Sequence, residues 1–220
     1  MKIIYSSSTN KGRRRENQDR IFINEKGLPA FAVFDGMGGE QRGKTASSIA
    51  CQTFEEFFEK KKPSQICTLI NQRICEYMKL NQIFRMGTTA AIVEFSDEFV
   101  YTCNIGDSRI YRIADNEIEQ LSVDHVINTG RFKTRRVLAQ YLGIPKNEIE
   151  IEPHIETHAV KPGDIYLVCS DGLTDMVTDE TIKDIILKSK TENTAEKLVQ
   201  TALTNGGRDN ISVIVCEVTN

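Results

Sequence analysis

Ala30-Phe31-Ala32-Val33-Phe34-Asp35-Gly36-Met37-Gly38-Gly39 is the stretch on which the fold turns. Five apolar residues run without a polar break, which predicts a strand buried on both faces. The run ends on a carboxylate, and glycines follow at once. Ile165-Tyr166-Leu167-Val168-Cys169 repeats the design and leads into Ser170-Asp171-Gly172. Strands of this kind need a covering layer on each side.

Working outward, further short strands are expected, so that the full set covers residues 3–5, 20–23, 30–34, 89–95, 99–104, 109–113, 165–169 and 211–218. Most are rich in Val, Ile, Phe, Tyr or Thr and are bounded by Gly, Asp or Asn. Two amphipathic helices are expected over 43–61 and 64–82. The first has a stripe of Ala46, Ile49, Ala50, Phe54, Phe57 and Phe58, the second one of Ile66, Leu69, Ile70, Ile74, Tyr77 and Met78. Pro63 separates them as a stop and restart. Ile182, Ile185 and Ile186 mark a third helix, and Ala195, Leu198, Val199, Ala202 and Leu203 a fourth. This order lacks regular βαβ alternation. It predicts an α+β fold, a four-layer α-β-β-α sandwich of two mainly antiparallel sheets flanked by helix pairs.

Length and composition bound the function. The 220 residues fit one domain, 1–220, with a core that needs neither disulfides nor a structural metal. A formal net charge of -3 argues against a nucleic-acid partner. No apolar run approaches the ~20 residues of a membrane helix, and the first residues show no secretory pattern. The six cysteines form no CxxC pair, which fits reduced thiols in a cytoplasmic protein rather than a zinc site.

Several acidic sites share the design of the opening stretch. Besides Asp35 and Asp171, Asn104-Ile105-Gly106-Asp107-Ser108-Arg109 follows a strand, and Gly206-Gly207-Arg208-Asp209-Asn210 precedes the last one. Asp19, in Glu16-Asn17-Gln18-Asp19, is a further candidate. Each Asp-Gly taken alone is a turn. Taken together, they put carboxylates at the ends of neighbouring strands, where unneutralised charges repel and take up protons. An all-oxygen set suits Mg²⁺ or Mn²⁺. His154 and His158 have no evident acidic partner and read as surface or packing residues.

The ordered motifs Arg14-Arg15-Glu16-Asn17-Gln18-Asp19, Asp35-Gly36-Met37-Gly38-Gly39, Gly87-Thr88-Thr89-Ala90, Gly106-Asp107-Ser108-Arg109, Leu121-Ser122-Val123-Asp124-His125, Ser170-Asp171-Gly172 and Gly207-Arg208-Asp209-Asn210 span nearly the whole chain. In that order they resemble the metal-dependent protein serine/threonine phosphatases of the 2C type, in their short bacterial form. The resemblance implies that Asp35 bridges two Mn²⁺ or Mg²⁺ ions, with the Gly36 carbonyl on the first and Asp171 and Asp209 on the second. Asp19 holds metal waters, Asp124 binds a weaker third ion, and Arg14 grips the substrate phosphate. Arg13 and Arg15 are neighbours that share the last assignment's chemistry. A metal-bridged water then hydrolyses phosphoserine and phosphothreonine in proteins with no covalent intermediate. Phosphorylated proteins, and a cognate serine/threonine kinase, are the implied partners of a monomer. Asp107 and Arg109 read as a structural turn and ion pair.

The chain departs from the family pattern twice. Met37 stands where some members have a proton-donating His. Residues 126–136 leave little room for the flap that usually follows the Asp-His pair, which predicts a more open cleft. Two rival readings remain, a phosphoprotein-binding pseudophosphatase and a hydrolase of small phosphate esters. Retention of Asp35, Asp171 and Asp209 counts against the first.

Overall fold

A computed structural model of the chain describes residues 2–128 and 136–219. The elements run β1 (Lys2–Asn10), β2 (Arg20–Asn24), β3 (Ala30–Phe34), β4 (Gly36–Met37), α1 (Glu40–Phe57), α2 (Pro63–Leu80), β5 (Gly87–Thr88), β6 (Ala90–Phe95) and β7 (Phe99–Ile105). They continue with β8 (Arg109–Ala114), β9 (Glu117–Gln120), β10 (Val126–Asn128), β11 (Arg136–Leu138), β12 (His154–Ala159), β13 (Ile165–Cys169), α3 (Asp171–Thr174), α4 (Asp179–Leu187), α5 (Thr191–Thr204) and β14 (Ile211–Thr219). Two five-stranded sheets, ordered β1-β14-β13-β8-β9 and β12-β7-β6-β3-β2, face each other. The pairings within them are antiparallel.

Side-chain alternation along the buried strands explains the layers. In β3, Phe31 and Val33 point between the sheets, while Ala30, Ala32 and Phe34 point to α1 and α2. In β13, Tyr166 and Val168 point between the sheets, while Leu167 and Cys169 join the core under α4 and α5. Three apolar cores therefore bind four layers, and the α-β-β-α sandwich expected from the sequence is the one found. The aromatic residues knit it locally. Phe95 meets Phe31 and Tyr166 edge-on between the sheets, and Phe22 meets Phe54 edge-on under α1.

The boundaries differ from expectation at the first helix pair. α1 runs from Glu40 to Phe57 and ends in a lysine-rich turn. Pro63 does not sit between helices; it opens α2, where its missing N–H is not needed. The last strand runs to Thr219, hydrogen-bonded along its whole length to β1. All six cysteines are free thiols. No helix among the described residues is long and apolar enough to cross a membrane.

Candidate active site

The carboxylate ending β3 opens a cleft of about 640 Å³ at one end of the sandwich. Asp35 is fixed through its backbone. Its N–H donates to Thr89 Oγ1 (3.0 Å), and its carbonyl accepts from the Thr89 N–H and the Thr88 hydroxyl (2.8 Å each). Gly36 and Met37 then pair with Thr88 and Gly87 as the small ladder β4–β5. A Cβ on Gly36 would lie 2.1 Å from the Gly43 carbonyl oxygen, so the start of α1 can lie against β4 only because residue 36 is glycine.

Three other segments reach the same cleft. Asp171 is the first residue of α3, delivered by β13. Asp209 comes from the loop before β14, and Arg14 from the loop between β1 and β2. Asn210 clamps those two loops together: its amide donates to the carbonyls of Lys11 (2.9 Å) and Glu16 (3.0 Å), and its Oδ1 accepts from the Gln18 N–H (2.8 Å). Gly12, at φ 56°, passes so close that a Cβ would sit 2.1 Å from the Asp209 carbonyl oxygen. Arg14 reaches Asp209 through two parallel contacts, Nε to Oδ1 at 2.9 Å and Nη2 to Oδ2 at 2.6 Å. The Arg14 side chain is still 59% exposed at the cleft mouth.

Asp19 lies beneath, 3% exposed, with Oδ2 accepting from the Ser170 hydroxyl (2.9 Å). Ser170 Oγ in turn accepts from the Ser212 N–H (2.9 Å), which ties this carboxylate to the strand ends of β13 and β14. Burial pushes the Asp19 carboxyl up to about 6, against hydrogen bonds from Ser212 and Ser170. The Asp35 carboxyl is raised by burial first and then by the charges of Asp19, Asp171, Asp107 and Asp209. Asp171 is raised in the same way, by burial and then by Asp107, Asp209, Asp175 and Asp19. These groups hold proton or cation in preference to bare negative charge.

The structure thus brings Arg14, Asp35, Gly36, Asp171 and Asp209 to one cleft, with Asp19 under its floor. It does not bring Asp124 there. Arg109 takes both oxygens of that carboxylate, at 2.7 to 3.1 Å, and Gln120 adds a further contact. Asp107, read from the sequence as a turn, lines the cleft, and so do Arg13, Arg15 and Arg85. Asp107 carried a usable signal, since it follows β7 as Asp35 follows β3. Arg85 carried none, because it stands in no carboxylate or glycine motif. His154 and His158 do have an acidic partner: Glu156, between them on one face of β12, accepts from their Nε2 atoms at 3.1 and 2.7 Å. Period-two spacing made that readable in the sequence. In the segment expected to replace the flap, 126–128 pairs with 136–138, while 129–135 lie outside the described residues. Val137 and Leu138 border the cleft.

The donor set fits divalent cations. Among the described residues, no three His, Cys, Asp or Glu side chains stand gathered as a ready-made metal cluster, and Asp209 is drawn toward Arg14. Yet Asp19 Oδ1 and Asp171 Oδ1 are buried with no hydrogen-bond partner. An orphaned buried carboxylate oxygen is costly, and neighbouring acids raise that cost. A hard cation meets both needs with oxygen ligands.

Comparison with known proteins agrees with this geometry. The profile of the family described as protein phosphatase 2C matches residues 9–208. The serine/threonine phosphatase stp of Listeria welshimeri is 30% identical over 239 residues, which cover 95% of this chain and 93% of that protein. The serine/threonine protein phosphatase PstP of Mycobacterium tuberculosis is 27% identical over 97% of this chain, which spans only 45% of that protein's length. A crystal structure of the PstP catalytic domain in complex with two manganese ions superposes with a TM-score of 0.83, at 28% identity and 99% coverage of both chains. Since the matched span holds the β3 hairpin, the arginine loop and the start of α3, the chain belongs to the protein phosphatase 2C family.

Proposed function

We propose that this chain hydrolyses phosphoserine and phosphothreonine in proteins, with two divalent cations, Mn²⁺ or Mg²⁺, held by Asp35, Asp171 and Asp209 and by the Gly36 carbonyl. The observation that carries the reading is the convergence of these carboxylates from separate strand ends beside Arg14, with buried oxygens left unpartnered. When bound, the cations supply Lewis acidity toward the phosphoryl oxygens and a water acidic enough to attack near neutral pH.

The chain's own residues do the rest. Asp19, oriented by Ser170, supports the cation shell from below. Arg14 already presents its guanidinium fork to two carboxylate oxygens, and the same fork matches two phosphoryl oxygens. Arg13, Arg15 and Arg85 add positive charge around the cleft for an anionic substrate. No Cys, Ser or His lines the cleft among the described residues, and the Thr89 hydroxyl is engaged by Ser108 (2.6 Å). With Asp35, Asp171 and Asp209 taken up by the cations in this reading, that favours direct attack by water over a covalent enzyme intermediate. Met37 has no proton to give a departing alkoxide, so the leaving group takes its proton from solvent.

Residues 1–220 act in this reading as one catalytic domain and a monomer. Its partners are phosphorylated proteins and the kinase that makes them. A third cation would require Asp124 to release Arg109. Hydrolysis of a phosphothreonine peptide tests the proposal. Turnover is expected with Mn²⁺ and is expected to vanish with a chelator or in Asp171→Asn. Equal rates with and without chelator exclude it.

A further inference from the structure

A second carboxylate lies at the other end of β3. Glu94, on β6, pairs with Ala30 on one side and with Tyr101 of β7 on the other, and Tyr101 pairs with Thr157 of β12. Ala90 and Ile92 of β6 point to the α1–α2 layer, so Glu94 points there too. The helices do not cover it. α1 has ended at Phe57 and α2 begins at Pro63, and the turn between them roofs a cleft of about 800 Å³ that Glu94 lines. Glu94 is 6% exposed, and its Oε1 has no hydrogen-bond partner.

The rest of the cleft is graded in chemistry. Phe58, Ile155 and Tyr101 form apolar and aromatic walls. The roof is basic: Lys60, Lys61 and Lys62 line it, and of these Lys60 has its Nζ engaged, donating to the Glu56 carbonyl at 3.0 Å. Glu59 is the acid on the same rim. Ser64 and Gln65, in the first turn of the 18-residue helix α2, also line it. The residue at that N-cap is Lys62, which has no acceptor to offer the first-turn N–H groups. A helix N-terminus beside lysines draws an oxyanion, and a buried unpartnered carboxyl draws N–H donors. The volume lies within the range of about 300–1,000 Å³ common to small-molecule sites.

We infer that this cleft is a nucleotide site, separate from the phosphatase cleft, in which Glu94 takes the adjacent N–H donors of a guanine base and the start of α2 with Lys61 and Lys62 takes the phosphate. Guanine presents its ring N–H and exocyclic amine side by side, a pair that a carboxylate matches with two oxygens. The aromatic walls receive the flat ring. Apolar substitutes for Glu94 would suit folding better than a carboxylate that nothing in the chain meets.

The probe is guanosine monophosphate, titrated by calorimetry into the full chain in the presence of a chelator. Binding at one site is expected. Adenosine monophosphate, guanosine and inorganic phosphate are each expected to bind at least about tenfold more weakly, since each lacks one of the paired contacts. Glu94→Leu and the double change Lys61→Glu, Lys62→Glu should weaken guanosine monophosphate about tenfold or more. Both should leave Mn²⁺-dependent phosphopeptide turnover within about twofold, because neither cleft shares a lining residue with the other. If Glu94→Leu does not fold, Glu94→Gln, which replaces one acceptor oxygen with a donor, should lower the affinity in the same direction. No binding of guanosine monophosphate up to about 5 mM overturns the inference. So does equal binding of adenosine monophosphate, or binding that Glu94 variants leave unchanged.

Discussion

Strand β3 has a buried carboxylate site at each end, five residues apart at about 3.3 Å each, and the two ends meet their charge in different ways. At the Asp35 end, burial and then the neighbouring acids raise the carboxyls, and arginines line the cleft, with Arg14 reaching Asp209 from an exposed loop. At the Ala30 end, Glu94 stands alone, and burial by itself pushes its carboxyl up to about 7. The first arrangement concentrates like charge that only a cation offsets fully. The second leaves a single carboxyl that a proton or a ligand's N–H satisfies. A third acid, Asp124, shows the ordinary solution, a partner from the chain itself: Arg109 holds it with both side chains under 20% exposed. Of these three, only the last is built for stability.

The contrast breaks first at Asp171. Asp171→Asn should cost phosphopeptide turnover about a thousandfold or more, while raising the thermal midpoint of the metal-free protein because one repelling charge is gone. A lower midpoint without metal would place Asp171 with Asp124, as a structural group. Arg109→Ala is the converse case. It leaves the half-buried Asp124 carboxylate with Gln120 alone and takes one donor from the Tyr111 hydroxyl, which keeps Asp179, and denaturant unfolding should report a loss of about 3 kcal/mol.

Glu94 predicts a smaller, pH-dependent effect. Its carboxyl titrates near 4.5 when unfolded and about 7 when folded. The folded-state value is raised, so its contribution is fully present below about 4.5 and is lost as pH rises through about 7. At about 1.4 kcal/mol per tenfold change in proton affinity, the loss is roughly 3 kcal/mol at most. The groups lining its cleft are Glu59, Lys60, Lys61, Lys62, Tyr101 and Cys103, with Cys67 against Cys103 at 3.9 Å. Glu94→Leu should therefore flatten the fall in unfolding free energy between pH 5 and 8, measured by urea denaturation; an unchanged slope would mean that a lysine of the roof already neutralises Glu94. The smallest effect belongs to the exposed edge. Removing His158 from Glu156 on β12 should change stability by about 0.5 kcal/mol or less.

Much of this was legible in the residues. Unbroken apolar runs such as Ala30–Phe34 announced strands buried on both faces, and the carboxylates that follow them mark where the sandwich ends. Arg14 and Asp209 are 195 residues apart, and only their motifs linked them before the fold did. Less was legible where a contact has no local signature. Arg85 joins the cleft through tertiary placement alone. Arg109 opens β8 and Asp124 follows β9, so their pairing depends on how β8 meets the segment after β9. Glu94 reads as a polar interruption at the end of an apolar strand; that it lies under an uncovered gap between two helices follows from where α1 stops, which periodicity fixes poorly.

If Asp35, Asp171 and Asp209 gather to hold divalent cations, the bound ions can be counted. Calorimetric titration of Mn²⁺ into the metal-stripped chain and its Asp171→Asn variant tests it most directly. Two Mn²⁺ per wild-type chain are expected, with at least one of them lost in the variant. Identical binding by both proteins, or none by the wild type, would contradict it.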